Sequence, residues 1–156
     1  MRLRLLTALG AAALVGALAI PSLVLAIHDP TNKLRANLTG EQIVPTGQGA
    51  DAGVGHARVT LFPNKKKVCF RITYKKIGGK NGLKAGIYEG KKGQNGDLAV
   101  ALFSGPKPSP VKDCAKGVPT SELKDIKRHP RKHHLNIKNN KYPRYGAIRG
   151  QLKPRD

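Results

Sequence analysis

Val68-Cys69-Phe70-Arg71-Ile72-Thr73-Tyr74 alternates between apolar and polar positions, with Val68, Phe70, Ile72 and Tyr74 on one side. His56-Ala57-Arg58-Val59-Thr60-Leu61 repeats the pattern. Ala57, Val59 and Leu61 face one way; His56, Arg58 and Thr60 face the other. Strand side chains point alternately to opposite faces, so a period of two marks a half-buried strand. Pro63-Asn64-Lys65 supplies a turn between the two runs. Further strands are expected at Lys33–Thr39, Leu83–Glu89, Leu98–Phe103, His133–Lys138 and Ala147–Leu152. Glycine-rich breaks at Gly78–Gly82 and Gly90–Gly96 separate several of them, and Asn95-Gly96 reads as a tight-turn pair. Residues 104–119 carry Pro106, Pro108, Pro110 and Pro119, and read as an ordered loop or extended crossing. One short helix is expected near 120–127. Thr120 or Ser121 can cap it, Glu122 suits its first turn, and Pro130 prevents a long continuation. The pattern predicts an all-β, mainly antiparallel sandwich or barrel of about seven to eight strands. Aromatics make up 4% of the chain and tryptophan is absent, so the core must be aliphatic.

The chain begins as an exported protein would. Met1-Arg2-Leu3-Arg4 is a short positive start, an apolar run follows from Leu5 to Ala19, and Val24-Leu25-Ala26 offers a small-residue cleavage site. Residues 1–26 therefore read as a signal peptide and 27–32 as a lead-in. The competing reading is a retained anchor, because Leu5 to Ile27 is long enough to cross a hydrocarbon core of about 30 Å. Removing residues 1–26 removes two arginines and no acid, which leaves a net charge of +18 over 130 residues. A charge of that size attracts polyanions, and its self-repulsion opposes the compact state. The alternative is that it serves only solubility or habitat. Export favours pairing of the two cysteines, Cys69 and Cys114, with two free thiols as the alternative. Closing a loop of about 45 residues is worth roughly 4 kcal/mol in the chain-entropy treatment.

Three segments stand in order along the chain. They are Leu38-Thr39-Gly40-Glu41-Gln42-x-Val44-Pro45; Gly90-x-x-Gly93-x-Asn95-Gly96 with Leu98-Ala99-Val100-Ala101-Leu102; and Tyr142-Pro143 with Gly146-Ala147-Ile148-Arg149-Gly150-Gln151-Leu152. Together they resemble the CHRD domain, the secreted module first described in chordin, over about residues 33–153. The resemblance implies an extracellular or periplasmic β domain, like a Greek-key, immunoglobulin-like or copper/zinc superoxide dismutase-like sandwich. Family members often carry a His-x-His pair before the glycine-rich segment and a third histidine before the Tyr-Pro turn. Those places here are Gly86, Tyr88 and Lys138. Glycine has no ligand atom and lysine adds positive charge, so a metal site is not expected there, and no cofactor is implied.

Catalytic patterns are weak. The acids are scattered. Glu89 and Asp97 flank the glycine-rich segment and could approach each other, but they read rather as loop acids answering Lys91 and Lys92. Gly90–Gly96 lacks the Gly-Lys-Ser/Thr ending of a phosphate-binding loop, and Ser104 lacks a nucleophile elbow. His129, His133 and His134 read as a basic surface strip whose charge rises below pH about 6.5. No catalytic residue is named, and the chain reads as a non-enzymatic binding module. Residues 124–155 hold eleven lysines and arginines against one acid, Asp125. From them Lys127, Arg128, Arg131, Lys132, Lys141, Arg144 and Arg149 are the expected contacts to a polyanion. The expected partners are an anionic polysaccharide, a cell-wall polymer or a membrane surface. Export argues against nucleic acid, as does the scarcity of stacking aromatics. Two alternatives remain: a superoxide dismutase-like metal-binding protein, and a purely structural surface domain.

Overall fold

The structure, a computed structural model, describes residues 31–155. The expected leader over residues 1–26 lies outside them. The described chain runs β1 (Lys33–Thr39), β2 (Val54–Phe62), β3 (Lys67–Lys75), β4 (Lys84–Glu89), β5 (Leu98–Ser104), β6 (Val111–Lys116), α1 (Thr120–Arg128), β7 (His133–Lys138), β8 (Ile148–Gln151) and β9 (Lys153–Pro154). Single 3-10 turns occupy Gly40–Gln42, Pro63–Lys65 and Pro130–Lys132.

All strands join one antiparallel sheet in the order β5-β4-β7-β8-β1-β2-β3-β6, with β9 also on β1. The sheet curls until its edge strands β5 and β6 approach each other, which nearly closes a barrel. Phe70 on β3 and Phe103 on β5 stack across the interior with ring centres 6.0 Å apart. Around them the core is aliphatic, with Leu34, Leu38, Val59, Leu61, Ile72 and Ile87 fully buried. The alternating sides expected for β2 and β3 are the sides found: Ala57, Val59, Leu61, Val68, Phe70, Ile72 and Tyr74 are buried. α1 covers one end through Leu123 and Ile126, both at 0% exposure.

Three local expectations are corrected. Residues 104–119 are not all loop: Val111–Lys116 form β6, paired with β3 from Ile72↔Val111 to Lys67↔Lys116. This strand was hard to read because it is an edge. Val111 is its only fully buried residue, so it shows almost no apolar alternation. Neither Thr120 nor Ser121 caps α1. The N-cap position is Pro119, and the Thr120 hydroxyl donates instead to the Pro63 carbonyl at 3.1 Å. The Asn95-Gly96 pair is not a left-handed turn. Gly90 and Gly93 take the positive φ values, 124° and 80°, while Gly96 lies where a Cβ would meet the Glu89 carbonyl oxygen at 2.5 Å.

Candidate functional site

The glycine-rich loop Gly90–Gly96 leaves the end of β4 and folds back over the outside of β7 and β8. Its first residue is held twice. The Gly90 N–H donates to the Lys132 carbonyl at 2.7 Å, and the Gln151 amide donates to the Gly90 carbonyl at 2.9 Å. Arg149, on β8 opposite Asn136 and Thr39, lies beneath this roof. Its guanidinium donates to the Gln94 carbonyl at 2.6 Å, the Lys91 carbonyl at 3.1 Å and Asn95 Oδ1 at 3.0 Å. The Asn95 amide in turn donates to the Val44 carbonyl at 2.9 Å. One chain of hydrogen bonds thus ties together the three segments singled out in the sequence.

Arg149 is 2% exposed, and no carboxylate among the described residues lies within ion-pair reach of it. Burial pulls its pKa below the usual arginine value, yet a guanidinium keeps its charge at any working pH. The expectation that Arg149 meets a polyanion is therefore corrected. Its side of β8 faces a loop, not solvent, and its role is to clamp that loop. Arg149→Lys keeps the charge but loses the planar fork. It is expected to cost about 1–2 kcal/mol in denaturant unfolding and to speed amide exchange across residues 91–96. Unchanged exchange there would refute the clamp.

Two histidines that the sequence placed on the surface are buried, His134 beneath the same roof and His133 on the opposite face of β7, against α1 and the turn after it. His133 is 1% and His134 is 2% exposed. His134 donates from Nδ1 to the Gly90 carbonyl at 3.4 Å and stacks on Tyr88 at 5.7 Å. Burial lowers its pKa to about 4, with the nearby Arg149 guanidinium adding to the effect. His133 donates from Nδ1 to the His129 carbonyl at 3.1 Å. Its Nε2 faces Asp125 Oδ2 at 3.5 Å and Glu122 Oε1 at 3.9 Å. Among the described residues no group of three His, Cys, Asp or Glu is placed to hold a metal. Gly86, Tyr88 and Lys138 do converge, but as packing. A Cβ on Gly86 would lie 3.1 Å from the Tyr88 ring, and Lys138 Nζ stands 5.1 Å from the centre of that ring. Glu89 and Asp97 meet only through the backbone, Glu89 N–H to Asp97 carbonyl at 2.9 Å, and both remain exposed.

The remaining basic candidates divide into two groups. Lys127 and Arg128 end α1, and Arg131 and Lys132 sit on the turn after it, at the start of β7. Lys141 and Arg144 lie past the other end of β7, packed over Tyr142 and Tyr145 at 5.5 and 5.0 Å. Six residues of strand, roughly 20 Å, separate the groups. Lys127 is half-buried and the other five are exposed.

Sequence reasoning missed a third basic region. Strand register aligns Lys153, Arg35, Arg58, Arg71 and Lys112 directly opposite one another across β9, β1, β2, β3 and β6. All five are exposed. Arg155 joins them beside two adjoining hollows of about 590 and 700 Å³, and a third of about 290 Å³ opens between Arg35, Lys153 and Lys92. The one acid lining these hollows is Asp113, which Lys107 holds at 2.7 Å. Alternation already turned Arg58 and Arg71 outward. Only the register could show that they stand in line. The Cys69–Cys114 disulfide crosses the same face.

No helix among the described residues is long and apolar enough to cross a membrane. No curated protein and no solved structure matches the chain. The family model of the CHRD domain matches residues 34–152, from the second residue of β1 to the residue after β8, and so takes in the clamp, the disulfide and the barrel. The chain therefore belongs to the CHRD-domain family, whose members are usually extracellular.

Proposed function

We propose that this chain is an exported, non-enzymatic binding or envelope-associated module whose basic exterior meets an anionic polymer or surface. One observation carries the reading. Among the described residues a single lysine or arginine, Lys107, forms an ion pair with an acid. Apart from the buried Arg149, the positive charge is thus not consumed in holding the fold together. It remains outside as an unneutralised field, which raises the local concentration of polyanions. The superoxide dismutase-like alternative lacks support because Gly86 and Lys138 cannot supply the ligands that the resemblance would require.

The test is a salt gradient. The domain bound to an immobilised sulfated polymer at about 0.05 M salt is expected to need several-fold more salt for elution. The logarithm of its affinity should fall linearly with the logarithm of salt concentration. Elution at no higher salt than a neutral protein of the same size would refute the reading.

A further inference from the structure

The five-residue row poses an energetic question. Cations directly opposite one another on neighbouring strands repel, and such pairs destabilise a sheet. Lys153, Arg35, Arg58, Arg71 and Lys112 make four such pairs in succession, and no acid interrupts them. Protection of sheet edges explains lysines on an edge strand such as β6. It does not explain arginines on β1, β2 and β3, which have partners on both sides. Solubility does not explain the alignment either, because dispersed charge would serve it as well.

We infer that this face binds a linear acidic polysaccharide laid across the strands along the row. The inference rests on the polyanion-binding reading above and specifies its site and ligand class. The strands set the cations about 4.8 Å apart over roughly 19 Å, a straight ladder suited to an extended chain with an anionic group on successive sugars. Three of the five are arginines, whose planar forks pair with carboxylates and sulfates through two hydrogen bonds. The row holds no aromatic on which a nucleic-acid base could stack. Nor does it offer an apolar wedge for a membrane. Leu98, the one large hydrophobic exposed among the described residues, lies on β5, which carries no residue of the row.

The experiment measures binding of the full chain to heparin oligosaccharides, hyaluronan oligosaccharides, single-stranded DNA and anionic lipid vesicles. It compares wild type with two multiple variants. One is Arg35→Gln/Arg58→Gln/Arg71→Gln; the other is Lys127→Gln/Arg128→Gln/Arg131→Gln/Lys132→Gln. The row variant is expected to lose about 50-fold in glycan affinity at 0.15 M salt. Its salt slope should be smaller by about two. Its denaturation midpoint should be unchanged or raised, since removing aligned like charges relieves repulsion. A role in folding alone would lower that midpoint instead. Heparin binding without hyaluronan binding assigns sulfate as the recognised group, and binding of both assigns carboxylate as sufficient. If the α1 variant loses affinity and the row variant does not, this inference fails and the broader reading stands. Tenfold tighter binding to DNA or vesicles than to either glycan also overturns it. No binding to any of the four at about 0.05 M salt sinks both.

Discussion

Cys69→Ser/Cys114→Ser is expected to lower unfolding stability by about 4 kcal/mol relative to the oxidised protein. The bridge joins residues 45 apart in sequence, and releasing that constraint from the unfolded chain gives the figure. For a domain whose whole stability is about 5–15 kcal/mol, this is a large share. The fold adds a local reason. On β3 and β6 the bridge is flanked by two like-charged cross-strand pairs, Lys67↔Lys116 on one side and Arg71↔Lys112 on the other. β6 is an edge strand and buries only Val111 fully, so little apolar area opposes that repulsion. Salt should therefore recover part of the loss by screening. Denaturant titrations at low and high salt would measure both effects. A loss below about 1 kcal/mol would show that β6 and the proline-rich crossing hold without the bridge.

Acid is expected to weaken the fold through His134, by about 3 kcal/mol between pH 6.5 and 4. The imidazole is buried and its folded pKa is lowered to about 4, against 6.5 for an unperturbed histidine. The unfolded chain therefore takes up the proton first as the pH falls. The stability associated with neutral His134 is complete above pH 6.5, is lost progressively toward pH 4, and changes no further below it. The physical causes surround the ring: burial first, then the Arg149 guanidinium, with His133 and Lys138 adding smaller repulsions. His134→Phe keeps a ring against Tyr88 and removes the titration. The Gly90 carbonyl keeps its bond from Gln151. The variant's stability should be nearly flat where wild type falls, a difference read directly from denaturation midpoints across that range. Asp113, lowered chiefly by the hydrogen bond from Lys107, and Asp125, lowered chiefly by that from His129, lose their contributions at lower pH in both proteins. They do not mask the comparison. Parallel curves for the two proteins would show that His134 is not buried in solution.

Much of this fold was legible because strand alternation is local. The run Val68–Tyr74 needs no partner to show which side chains go inward, and β1 and β7 begin and end at the residues that pattern named. The helix was legible for a similar reason, through Glu122 in its first turn and Pro130 after its end. β6 escaped because an edge strand with one side pinned by a cystine has no apolar rhythm to reveal it. The charged and ionisable residues were less legible. Arg149 and His134 lie on the outer face of a strand pair roofed by the glycine-rich loop, and His133 lies on its other face, covered by α1. Nothing within two or three residues of each position records either cover.

By itself, the sequence settled the β-rich class, the inward and outward sides of its main strands, the aliphatic core and the family. Each depends on neighbours in the chain or on short segments in order. The pairing of Cys69 with Cys114 was also expected from the sequence, and the tertiary structure added that the bridge spans β3 and β6 on the outer face of the sheet. The tertiary structure alone turned Arg149 from a surface cation into a clamp and drew Arg35, Arg58, Arg71, Lys112 and Lys153 into one line. Those outcomes depend on register between strands far apart in the chain. A shift of one residue would turn every side chain of a strand to the other face, and packing the apolar faces together is what selects the register.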